Sequence, residues 1–291
     1  MIAAGIEYAE AGAGPPVICL HGIGGGCESF LAQMPCAGGF APPSASPRGG
    51  LAPQPPQEYF CQDEEGAGLT GYRVIAWNMP GYGASEPGQQ PPSFTSLSDA
   101  LGGLVAALGL GPVHLVGQSI GGMVALDHAL RRADQVATLT LIATTPSFGG
   151  RDEAFKDAFL KARLAPLDDG QSMAGMAAHA ASRLVGPDAS SETIVAIEAP
   201  MERVPQAIWR GILQCLVTFN RRGDLARVAL PCCLIAGGHD RNAPARTMEK
   251  MAAKLPNSEY HLIESAGHMI NQEAPDETNA IITAFLDRHS R

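Results

Sequence analysis

Val113-His114-Leu115-Val116-Gly117-Gln118-Ser119-Ile120-Gly121-Gly122-Met123 runs from a short apolar stretch through a glycine-flanked serine into helix-forming sequence. It reads as strand, sharp turn, helix. A serine hydroxyl is a weak nucleophile, so a chain that uses one must hold it clear of the backbone, beside a base and near amide donors. Gly117, Ser119 and Gly121 provide the Gly-x-Ser-x-Gly spacing. At such a turn, side chains two residues either side of the serine would collide with the packed strand and helix, which is why glycine stands there.

Working outward, Val17-Ile18-Cys19-Leu20, Tyr72 to Trp77, Val136 to Ile142, Cys232 to Ala236 and Tyr260 to Ile263 are further apolar runs of strand length. Unbroken apolar runs suit strands buried on both faces of a parallel sheet. Ile6 to Glu10 reads as a short edge strand, and Cys27 to Met34 as a short helix. Thr95 or Ser96 is expected to cap a helix carrying Leu97, Leu101, Leu104, Val105 and Leu108 on one face. A helix is expected to leave Ser119 and run to about Arg132, with others over Ala243 to Leu255 and Pro275 to Arg288. Strand and helix alternating at this spacing predict a doubly wound, mostly parallel sheet.

Two segments break the alternation. Residues 35–71 hold seven prolines and repeated Gly-Gly pairs, and are read as a disordered insertion without a catalytic role. Residues 147–225 are helical in pattern and are read as a cap inserted after the sixth strand. The core is then 1–146 and 226–291. Met173, Met176, Met201, Trp209, Leu213, Leu216 and Phe219 give the cap large apolar side chains, of which some are expected to line a pocket.

Composition narrows the function. The chain has 291 residues, 45% hydrophobic and 17% charged, as suits a folded enzyme, and its net charge of −9 offers no basic surface for nucleic acid. No run reaches transmembrane length and no basic-then-apolar leader opens the sequence, so a cytoplasmic protein without membrane partners is expected. The seven cysteines are an odd number and are expected to be reduced; Cys232-Cys233 lacks the spacing of a zinc pair, so no metal site is indicated. A monomer or a homodimer is expected, and no residue in the sequence marks a dimer.

Asp240 follows one late strand and His268 the next, so with Ser119 all three stand at strand C-termini, the rim where parallel sheets build their sites. The expected triad is Ser119 as nucleophile, His268 as base and Asp240 as the residue that orients the imidazole. His239 and His261 are rival bases. The oxyanion hole is expected to combine the Ile120 amide with one from the His21-to-Gly26 turn, Ile23 first and Gly24 second. Trp209, Arg210 and Met269 are the expected substrate contacts. Arg210 is chosen among Arg151, Arg203, Arg210, Arg221 and Arg222 as a fork for a substrate carboxylate.

With His21-Gly22-Ile23-Gly24, Pro80-Gly81-Tyr82-Gly83, Gly117 to Gly122, Gly238-His239-Asp240 with Pro244, and Ala266-Gly267-His268 in place, the chain resembles the α/β-hydrolase superfamily. Ala266 to Glu273, with Pro275 and Asn279, is similar to the 3-oxoadipate enol-lactonase and carboxylesterase group. That resemblance implies cleavage of a small ester or lactone through an acyl-enzyme, with no metal or organic cofactor. Carbon–carbon hydrolases of aromatic ring-cleavage pathways are the alternative, against which Met269 stands where many of them carry tryptophan. A binding protein inactivated by the insertion is the second alternative. Asn78 departs from the family pattern, standing where many relatives have aspartate.

Overall fold

Each interior strand is apolar on both faces because helices cover both faces. In a computed structural model, which describes residues 1–35, 68–148 and 152–290, the strands are β1 (Ile2–Ala3), β2 (Ile6–Ala11), β3 (Pro16–Leu20), β4 (Arg73–Trp77), β5 (Val113–Gln118), β6 (Val136–Ile142), β7 (Cys232–Gly237) and β8 (Ser258–Ile263). Among the described residues they form one eight-stranded sheet in the order β1-β2-β4-β3-β5-β6-β7-β8, parallel from β4 to β8. Successive residues alternate between two cores: Ile18, Leu20, Ile75, Leu115 and Leu234 face one, and Val17, Cys19, Val74, Val116 and Ile235 face the other. The first core is closed by α1 (Phe94–Ala107), α2 (Ile120–Arg131) and α7 (Ala245–Ala252), and the second by a 3-10 helix over Cys27–Gln33 and by α9 (Pro275–His289).

The helices α3 (Glu153–Asp168), α4 (Met173–Leu184), α5 (Ser191–Glu202) and α6 (Gln206–Leu216) all fall between β6 and β7. Leu213, Leu216, Met201 and Trp209 are buried and join the first core, and Met201 lies against Gly24 and Ile208 against Gly81, so this segment packs over the turns that follow β3 and β4.

Two sequence readings change. Ile6 to Glu10 is not the edge, because β1 turns back and pairs antiparallel with β2 through Ala4 and Gly5, both at positive φ. An alanine in that conformation gives no hairpin signal in a sequence. The cap of α1 is Ser93 rather than Thr95 or Ser96: the Ser93 hydroxyl accepts from the Ser96 amide at 3.1 Å, and the Ser96 hydroxyl accepts from the Ser93 amide at 2.9 Å. The reciprocal pair satisfies two first-turn donors at once.

The expected disordered insertion lies, from residue 36 to 67, outside the described residues, as does Arg151. The ends that flank it meet, with the Leu69 amide donating to the Gln33 carbonyl at 3.0 Å.

Asn78 has a structural reason. Its amide nitrogen donates to Glu7 Oε2 at 2.6 Å and its oxygen accepts from the Cys27 amide at 2.7 Å. An aspartate would set two carboxylates against each other. Asn78→Asp is expected to cost about 2 kcal/mol at pH 7.5, or about 5 °C of melting temperature. The gap to the parent should narrow towards pH 5, because a proton shared by the two carboxyls restores the contact. Paired thermal melts at the two pH values check this, and a gap that is constant across them would contradict it.

Candidate active site

The turn after β5 is dictated by close approach. A Cβ on Gly117 would lie 2.5 Å from the Gly121 carbonyl oxygen, and one on Gly121 would lie 2.7 Å from the His21 carbonyl oxygen and nearer still to that of Leu20. Ser119 between them takes φ 55° and ψ −121°, a conformation that costs a non-glycine residue about 1–3 kcal/mol. It is held by the Ser119 amide donating to the Ile142 carbonyl at 2.9 Å, and by the Thr144 hydroxyl donating to the Ser119 carbonyl at 2.7 Å.

The turn presents the Ser119 hydroxyl to His268. Ser119 Oγ lies 3.0 Å from His268 Nε2, and His268 Nδ1 lies 2.8 Å from Asp240 Oδ2. The other Asp240 oxygen accepts from the Asn242 and Ala243 amides at 2.7 and 3.0 Å. The loop-capping role and the histidine-orienting role therefore belong to the two oxygens of one carboxylate. Burial alone would raise the Asp240 pKa, but the bonds from His268, Ala243 and Asn242 outweigh it and hold the carboxyl below its usual range. An ionised Asp240 accepts from Nδ1–H, which leaves the Nε2 lone pair for the serine proton.

The rival histidines stand elsewhere. His239 is exposed, and His261 Nε2 lies 3.0 Å from Glu259 Oε1. That Glu259 carboxylate also receives Arg288 and gathers Cys233 beside it, the one Cys/Glu/His grouping of metal-ligand reach among the described residues. Its members already satisfy one another.

Of the expected amide donors, Ile120 begins α2, where a helix N–H has no internal acceptor. Among the described residues no protein group accepts from the Ile120, Ile23 or Gly24 amides. The turn that carries Ile23 lies against the serine: a Cβ on Gly22 would be 3.3 Å from Ser119 Cβ. Tyr82 secures it by donating its hydroxyl to the Ile23 carbonyl at 2.7 Å.

His21 anchors the same turn as a neutral base. Its Nε2 accepts from the Met79 amide at 2.9 Å and its Nδ1 donates to the Gly22 carbonyl at 2.7 Å. Burial pushes its pKa from 6.5 down to about 4. The unfolded chain binds this proton at higher pH than the folded one. The stability it contributes is therefore complete above about pH 6.5 and is lost as pH falls towards 4, on the order of 3 kcal/mol. His114, lowered to about 4 mainly by burial, adds to the same window. The urea midpoint is expected to drop steadily from pH 6.5 to 4.5, and a flat midpoint across that range would contradict the neutral assignment.

Met269 is buried and packs on Ala181 and Ile197 of the α3–α6 segment, directly after His268. Trp209 is buried within that segment, its indole nitrogen without an acceptor among the described residues. Arg210 sets its guanidinium 2.6 Å from Asp168, Arg203 pairs with Glu28, and Arg221 with Asp127. Sequence reasoning passed over Arg163 on α3, which lies over Phe159 and 3.5 Å from Asn242 Oδ1, two residues past Asp240. It also passed over Gln118, whose buried amide donates to the His268 carbonyl at 2.9 Å.

Comparison with known proteins identifies the fold. The family model described as alpha/beta hydrolase fold matches residues 15–275. The chain is 27% identical over 95% of its length to the dihydrolipoyllysine-residue acetyltransferase component of an acetoin cleaving system from Pseudomonas putida, spanning 64% of that protein. It is 29% identical over 68% of its length to a pimeloyl-[acyl-carrier protein] methyl ester esterase from Chromobacterium violaceum, covering 78% of it. A thermophilic esterase from Thermogutta terrifontis superposes with a TM-score of 0.79 at 22% identity, over 98% of this chain and 94% of that one. Among the described residues no helix is long and apolar enough to cross a membrane.

Proposed function

The chain belongs to the alpha/beta hydrolase fold family, and from that premise we propose that it is a serine hydrolase that cleaves a small carboxylic ester or lactone. One observation carries the reading: the unbroken relay from Asp240 Oδ2 through the His268 imidazole to Ser119 Oγ, at 2.8 and 3.0 Å. Ser119 Oγ attacks the substrate carbonyl as His268 Nε2 takes its proton. The oxyanion is met by the Ile120 amide and by that of Ile23, with Gly24 as the neighbouring donor. Collapse expels the alkoxide, which His268 protonates, and water then hydrolyses the acyl-enzyme by the same relay. For a lactone the leaving oxygen is part of the acyl chain, and the last step releases a single ring-opened acid that still carries it.

The helices α3–α6 act as the cap. Met269 and Trp209 supply apolar contacts, and Arg163, 3.5 Å from Asn242 Oδ1 two residues past Asp240, supplies the fork for a substrate that bears a carboxylate. No step calls for a metal or an organic cofactor, and the substrate is a small molecule. Esterases and carbon–carbon hydrolases both stand among the similar proteins, so the choice between them rests on the substrates that are turned over.

The test is a panel of p-nitrophenyl acetate, p-nitrophenyl butyrate, a carboxylated enol-lactone and a 2-hydroxy-6-oxo-dienoate. Turnover of an ester or the lactone is the expected result. Turnover of the dienoate alone would replace this reading with the carbon–carbon one, and a folded protein inert to all four would favour a binding role.

A further inference from the structure

The proposed mechanism needs His268 to stay within hydrogen-bonding distance of both Ser119 and Asp240, yet it sits in a loop between β8 and the short helix α8 (Ile270–Glu273). A loop has no ladder to hold it. A single carboxylate braces this one on both sides of the histidine. Glu273 Oε2 accepts from the Gly267 amide at 2.9 Å and Oε1 accepts from the Met269 amide at 2.9 Å, so the residues on either side of His268 are fixed to one side chain. The same Oε2 accepts from the Gly186 amide at 2.6 Å, and Gly186 follows α4. Glu273 thus ties the histidine loop to the helical cap.

The backbone at this junction is built for contact. The His268 amide donates to the Leu184 carbonyl at 2.6 Å, using an acceptor that the last turn of α4 leaves free. A Cβ on Gly267 would lie 2.5 Å from the Val185 carbonyl carbon and 2.6 Å from the Gly186 nitrogen. A Cβ on Gly186 would strike the Ser265 carbonyl oxygen and come 3.3 Å from Glu273 Oε2. Both glycines are needed for the two segments to touch. From below, α8 is fixed to the 3-10 helix: the Asn271 side chain donates to the Ser29 carbonyl at 2.7 Å, and Gln33 donates to the Asn271 carbonyl at 3.1 Å.

We propose that Glu273 is a positioning residue that locks the base His268 to the cap, so that cap and imidazole move as one body. This rests on the reading of His268 as the base. Glu273 touches no reacting atom; it acts by charge-assisted bonds to three amides that together set where the imidazole lies. A displacement of about 1 Å in a catalytic group can cost about 100-fold in rate, and that is the scale of effect the clamp controls.

The experiment measures kcat, KM and melting temperature on a p-nitrophenyl ester for the parent, Glu273→Gln, Glu273→Ala and Gly186→Ala, with Ser119→Ala as the blank. Glutamine keeps one acceptor oxygen, so Glu273→Gln should lower kcat about 10-fold and Glu273→Ala about 100-fold, with KM changed less than about 3-fold. Gly186→Ala opens the junction from the cap side and should lower kcat in the same way. The double variant Glu273→Gln/Gly186→Ala should lose less than the product of the two single losses, because both release one contact. Parental kcat in folded Glu273→Gln and Glu273→Ala would overturn the proposal. So would a loss confined to melting temperature, which marks a purely structural role. Should the Glu273 variants fail to fold, Gly186→Ala decides by the same criterion. A parent no faster than Ser119→Ala would remove the base reading itself, and the clamp with it, a result distinct from an active parent with indifferent Glu273 variants.

Discussion

Replacing Ser119 with alanine is expected to lower kcat for ester hydrolysis by about 10⁴-fold or more, with the fold intact. Only the hydroxyl is removed, and the bond to His268 Nε2 at 3.0 Å is the one hydrogen bond that it makes among the described residues. Losses of this size follow when a group that forms the covalent intermediate is deleted. Asp240→Asn should cost about as much, because an amide that donates towards Nδ1 imposes the wrong tautomer and leaves Nε2 protonated towards the serine. Ser119→Gly supplies a second readout. It is as inactive as alanine, but it suits φ 55° without strain, so it should melt above Ser119→Ala. Kinetics and melts on the three purified variants check both parts, and an active Ser119→Ala would exclude the acyl-enzyme.

The second large effect is on folding. Gly121→Ala would drive a methyl group against the Leu20 and His21 carbonyl oxygens at the end of β3, where the partners are backbone and cannot rotate away. Among helix positions, alanine is otherwise the best residue available. Helix propensity predicts a stabilised protein and the backbone clash predicts the reverse, and the clash outweighs the propensity. We expect a loss of about 4 kcal/mol or more, equivalent to about 10 °C or a failure to accumulate in soluble form. Any folded fraction should also lose activity, because the strand end that moves carries the turn with Ile23. A melting temperature equal to or above the parent's would show that β3 and α2 are not in contact at this turn.

These two positions explain why so much was legible in the sequence. Gly117 and Gly121 are forced by backbone approach, and Val17 to Leu20 or Cys232 to Ala236 by burial on two faces, so local composition carries the information. The meeting of Ser119, Asp240 and His268 could be read because parallel strands deliver their C-terminal residues to one rim. What escaped has no local pattern. Glu273 is selected by an amide 87 positions away, and Gln118 by a carbonyl 150 away. Arg210 stands beside Trp209 in an apolar segment, and the Asp168 carboxylate that its guanidinium meets lies 42 residues away in the chain, at no helical spacing. The turn of β1 onto β2 was hidden by an alanine at positive φ, where sequence rules look for asparagine or glycine.

The most direct measurement is covalent. Folded protein treated with a fluorophosphonate and digested is predicted to carry one phosphonyl group per chain, on the peptide that contains Ser119, with labelling in His268→Gln slowed by about 100-fold or more. A folded parent that takes up no label, or carries it on a residue other than Ser119, would contradict the serine-nucleophile mechanism.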